Sequence, residues 1–139
     1  MFLNIAFEND IYVQRQANLY KFQDTIKNLM KSWNSNWYFY DENDYILIFQ
    51  NNQCERLTIS LNQSFKTFDI LFEFDKYKDS QINVIYQNLN VNEFTQNTYN
   101  NIKFLGAKIM ELQILAYEKN FKLLKEKNQK RIVKFKNSH

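Results

Sequence analysis

Few side chains in this sequence could do chemistry, and they are badly placed for it. The only cysteine, Cys54, and the only histidine, His139, stand more than half the chain apart. A nucleophilic thiolate needs a neighbour that lowers its pKa and takes its proton, and a histidine at a chain end is poorly held for that task. Cys54 is therefore read as a packed or idle thiol. One glycine, Gly106, and no proline leave nothing from which to build a glycine-rich phosphate loop. No His/Cys cluster has the spacing of a zinc site. The acids fall into two groups: Asp41, Glu42 and Asp44 in a turn, and Asp69, Glu73 and Asp75 along one strand. Carboxylate-pair hydrolysis needs one acid desolvated with a raised pKa, and a calcium loop needs an Asp-x-Asp-x-Asp-Gly run that is missing. Thr67 and Arg56 on the same surface point instead to a wet, negative strip. No catalytic residue, metal or cofactor is expected.

Charge is divided along the chain. Between Glu118 and Lys136 lie Lys119, Lys122, Lys125, Lys127, Lys130, Arg131, Lys134 and Lys136 against Glu118 and Glu126, a balance of +6. The whole chain carries +3, so the remainder sums to −3. A basic helix end suits the helix dipole and could also follow a phosphate backbone, with Phe121 and Phe135 stacking on bases. Part of the lysine and asparagine content is explained by AT-rich codons, as in the genomes of many bacteria, their phages or some protists.

The elements that must position these residues follow from periodicity. Leu3, Ile5 and Phe7 alternate and suggest a short strand over 2–7. From Tyr12 to Trp33 apolar residues recur at helical spacing: Leu19, Phe22, Ile26, Leu29, Met30, Trp33. Five strands follow, over 37–40, 45–49, 55–61, 65–75 and 82–89, the first two joined by a four-residue connection Asp41–Asp44. In the fourth, Phe68, Ile70, Phe72 and Phe74 share one face. Asn92 is a candidate N-cap for a helix of about ten turns running from Glu93 to Asn128. This helix carries two apolar seams: Ile102, Leu105, Ile109, Leu112 and Ala116, and, displaced around it, Met110, Ile114, Tyr117, Phe121 and Leu124. Gly106 within it suggests a close crossing. The expected fold is α+β, a single domain over 1–128 with a basic tail over 129–139. It contains an antiparallel meander sheet of five to six strands, an N-terminal helix and a long C-terminal helix (β-α-β-β-β-β-β-α). The layout is similar to helix-grip and cystatin-like arrangements, an analogy of topology alone.

No segment is apolar enough to span a membrane, no export signal is evident, and a lone cysteine suits a reducing compartment, so a cytoplasmic protein is expected. The leading expectation for function is a non-enzymatic protein-binding module, in its sharpest form an inhibitor or immunity protein that neutralises a toxin or other enzyme by surface docking. Its contacts would be Asp69, Glu73, Asp75, Asp41, Glu42 and Asp44, with Trp37 and Tyr40 as aromatic anchors. One alternative is an RNA- or ribosome-associated protein that uses the eight basic residues above. Another is a binder of apolar ligands with a cavity between sheet and long helix. The second seam of the long helix also allows a homo-oligomer.

Overall fold

A computed structural model describes residues 2–43, 45–74, 83–94 and 98–137. Helix α1 (Phe2–Trp33) leads into five strands: β1 (Tyr38–Asn43), β2 (Ile46–Gln50), β3 (Glu55–Leu61), β4 (Thr67–Phe74) and β5 (Asn83–Asn90). A 3₁₀ turn (Val91–Phe94) follows, and helix α2 (Tyr99–Asn137) ends the chain. The strands form one antiparallel sheet in sequence order, β1-β2-β3-β4-β5. This is the α+β meander expected from the sequence.

Four expectations are corrected. Residues 2–7 are the start of α1 and not a strand. Their alternation is overridden by the long helix that follows, because extending a formed helix needs no second nucleus. Asp41 and Glu42 are not in a turn. They lie inside β1, paired with Ile48 and Leu47, so the hairpin closes between Asn43 and Ile46. Asn92 is not the cap of α2, because it lies in the 3₁₀ turn. The capping residue is Thr98, whose Oγ1 accepts from the Asn101 amide at 3.2 Å. Finally, α2 does not stop at Asn128 but runs unbroken to Asn137.

Alternation decides which sheet face is buried. In β3 and β4, Leu57, Ile59, Leu61, Phe68, Ile70 and Phe72 are nearly inaccessible, as are Leu47 and Phe49 in β2. The helices lie over this face, α1 contributing Leu19, Phe22, Ile26, Leu29 and Met30, and α2 contributing Leu105, Ile109, Leu112 and Ala116. Removing such a core from water is the main favourable term in the fold. The helices meet where α1 ends. A Cβ built on Gly106 would overlap the Trp33 indole, coming within 2.6 Å of Cε2. The close crossing expected at this glycine is thus the seating of one indole ring.

With one glycine in the chain, left-handed turn positions fall to other residues: Cys54, Phe65 and Asn88 have φ of 59°, 60° and 61°. Cys54 closes the β2–β3 turn, donating its amide to the Asn51 carbonyl at 3.3 Å. The Asn51 side chain braces that turn, accepting from the amides of Gln53 at 3.0 Å and Glu55 at 3.1 Å. Phe65 does the same in the β3–β4 turn, with its ring against Tyr45. Asn88 lies at a bulge in β5, and Tyr40 is the extra residue of a bulge in β1.

Candidate functional site: the open face of the sheet

Strand register brings together residues that are distant in sequence. On the face away from the helices, one cross-strand row reads Asp41, Ile48, Thr58, Leu71, Ile85. Beside it runs Tyr38, Gln50, Arg56, Glu73, Asn83, and on the other side Asn43, Ile46, Ser60, Asp69. Both helices lie on the opposite face, so no described element covers this one. Its central members are half-buried by one another, while Tyr38, Tyr40 and Ile85 are 45%, 57% and 48% exposed. The result is an apolar stripe of Ile48, Leu71 and Ile85, interrupted by Thr58, with Arg56 and Glu73 in one adjoining row and Asp69 in the other.

Polar contacts tie parts of this face down. Arg56 lies 5.9 Å from the Tyr40 ring centre. With the Gln50 amide turned to satisfy both groups, its oxygen accepts from Arg56 Nε at 3.2 Å and Nη2 at 2.8 Å. Arg56 also faces Glu73 across β3 and β4. The Asp69 carboxylate accepts from the Asn88 amide at 2.9 Å and so holds the β5 bulge. Asp41 accepts from the Glu42 amide at 2.8 Å.

The expected site residues therefore separate. Asp41, Asp69, Glu73 and Tyr40 share the open surface. Glu42 points to the helix side, where it pairs with Lys27 at 2.8 Å. Trp37 is 4% exposed and packs edge-on against Phe72, which removes it from any surface contact. The burial of that indole before β1 begins gives the strand its anchor in the core. Asp44 and Asp75 lie outside the described residues. Sequence reasoning placed Arg56 on this surface but missed Ile48, Leu71, Ile85 and Tyr38 as members of one patch. The available signal was Leu71, an apolar residue among the polar ones on its side of β4, together with a β2 that is apolar on both sides.

Two polar contacts sit on the helix side. Glu55, 3% exposed, accepts from Tyr117 Oη at 2.5 Å and from Gln113 Nε2 at 3.1 Å. Burial, then the bond to Glu55, raises the Tyr117 phenol well above its ordinary 10.0. Tyr86 donates to Glu111, and that bond, followed by burial, raises its pKa too. These contacts join α2 to the sheet. Among the described residues no group of three or more His, Cys, Asp or Glu could hold a metal ion, and no helix is long and apolar enough to cross a membrane.

The basic side chains Lys119, Lys122, Lys125, Lys127, Lys130 and Arg131 are all exposed. At ~100° per residue they spread around about two-thirds of the helix instead of forming one stripe. The side chains of Lys134 and Lys136 lie outside the described residues. A cleft of about 210 Å³ is lined by Asn18, Lys21, Phe22, Leu61, Phe65 and Phe94, among others. It opens between α1, the β3–β4 turn and the 3₁₀ turn, not between the sheet and α2 where an apolar ligand was expected. Comparison with known protein families, with characterised proteins and with solved structures finds no match.

Proposed function

We propose that this chain is a non-enzymatic protein-binding module that docks another protein on the open face of its sheet. One observation carries the reading: an apolar row, Ile48, Leu71 and Ile85, lies uncovered between Tyr38 and Tyr40 on one flank and Asp41, Asp69 and Glu73 around it. Apolar and aromatic side chains supply the binding energy of such a patch, and the acids steer a basic partner and fix its orientation. In its sharpest form the module is a cytoplasmic inhibitor or immunity protein that covers the basic substrate surface of a toxin or another enzyme. The test begins with affinity capture from the native host, followed by reconstitution with the recovered partner. Ile85→Lys combined with Tyr40→Ala should weaken the purified complex at least about tenfold. Failure to recover a protein partner, or equal binding by the variant, overturns the reading.

A second reading rests on the exposed basic stretch of α2, which would lie along RNA phosphates. If about five phosphates were neutralised, log affinity would fall with log salt at a slope of about −4. RNA binding that survives deletion of residues 119–139 would exclude it.

A further inference from the structure

The two apolar seams of α2 have different fates. The first ends at Ala116, the last α2 residue buried against the body. The second runs past it: Met110, Ile114, Phe121 and Leu124 are 52%, 54%, 67% and 51% exposed, while Tyr117, 43% exposed, stacks its ring on Phe74 and marks where the seam leaves the body. Their spacing is 4-3-4-3, the a/d repeat of a coiled coil, and it continues through Asn128 and Arg131 with the exposed Ile132 beside it. At ~100° per residue these positions stay within about 100° of arc. Every described side chain from Phe121 to Ile132 is exposed, so this part of the helix stands clear of the sheet. An isolated helix of that length is marginal in water unless its apolar face is covered.

We propose that the cover is a second copy of this chain, the two α2 helices pairing as an antiparallel coiled coil. Charge selects the direction. A parallel pair would run Lys127 of one copy along the edge that carries the partner's Lys125, and would set Arg131 at a core d position against itself. An antiparallel pair centred between Phe121 and Leu124 places Phe121 over the partner's Leu124 and Glu118 beside the partner's Lys125. It also brings the basic end of each helix towards Glu111 and Glu118 of the other. Asn128, the polar residue in an a position, then lies level with the partner's Tyr117 and sets the register. The seam and its neighbours can cover on the order of 800 Å² per copy, the share each partner gives to a standard specific interface.

Sedimentation equilibrium of the full chain at micromolar concentration should report a dimer, twice 17.0 kDa. Phe121→Asp with Leu124→Asp should raise the dissociation constant roughly 100-fold or more. Neither residue belongs to the core, so the variant should still unfold cooperatively, its midpoint lowered only by the loss of the dimer's mass-action stabilisation. Direction is read by disulfide trapping in a Cys54→Ser background. Glu118→Cys mixed with Lys125→Cys should form the mixed disulfide between copies. A monomeric wild type, whether or not it binds RNA, overturns the proposal. So does a dimer indifferent to the two aspartates. Trapping of Glu118→Cys only with itself overturns the antiparallel arrangement.

Discussion

Cys54 occupies a backbone conformation that side chains with a Cβ resist, at a cost of about 1–2 kcal/mol. Its thiol is exposed and free. Cys54→Gly should therefore stabilise the fold by about 0.5–1 kcal/mol once glycine's greater unfolded-state entropy is subtracted. Chemical denaturation measures this, and a loss of stability would mean that the thiol makes a compensating contact. At Tyr117 the effect appears with pH. The folded state keeps the phenolic proton where an unfolded tyrosine, near 10.0, has lost it. The folded state then binds more protons, so stability falls as pH rises. The contribution is complete below the unfolded pKa and fades through the alkaline range above it. Unfolding midpoints between about pH 9 and 11 should decline less steeply in Tyr117→Phe than in the wild type.

At the scale of elements, the α1–α2 crossing depends on Gly106. Alanine there would recover about 1 kcal/mol of helix propensity but would drive its methyl group into the Trp33 ring, and overpacking costs about 1–3 kcal/mol. Gly106→Ala should therefore destabilise the protein by up to about 2 kcal/mol and shift the emission of Trp33, read by fluorescence during thermal unfolding. Which elements could be read from sequence follows from their packing. β3 was legible to the residue because Leu57, Ile59 and Leu61 alternate against a single buried face. The first turns of α1 were not, because Leu3, Ile5 and Phe7 fit a strand as well as a helix within so short a window. The β1 boundaries were hidden by Tyr40, whose bulge lets the strand continue through acids that resemble a turn. Of the candidate site, the acids on β4 were legible. Their apolar neighbours were not, since the row from Ile48 to Ile85 exists only in the register of four strands.

At the scale of the whole molecule, two apolar surfaces stand uncovered among the described residues, one on the sheet and one on the emergent half of α2. Substitutions that share no partners add independently. Ile85→Lys with Tyr40→Ala should leave self-association unaltered by sedimentation, and the paired aspartates at 121 and 124 should leave docking on the sheet unaltered by titration. Change in both would mean that the surfaces communicate through Glu55, Gln113 and Tyr117, the contacts that tie α2 to β3. The meander also leaves β1 as a free edge, and an unpaired strand invites the strands of other molecules to add to it. Tyr40 kinks that edge, while Asp41 and Glu42 charge it. At the opposite margin β5 is broken by its own bulge at Asn88, so neither side of the sheet offers a straight template for fibril growth.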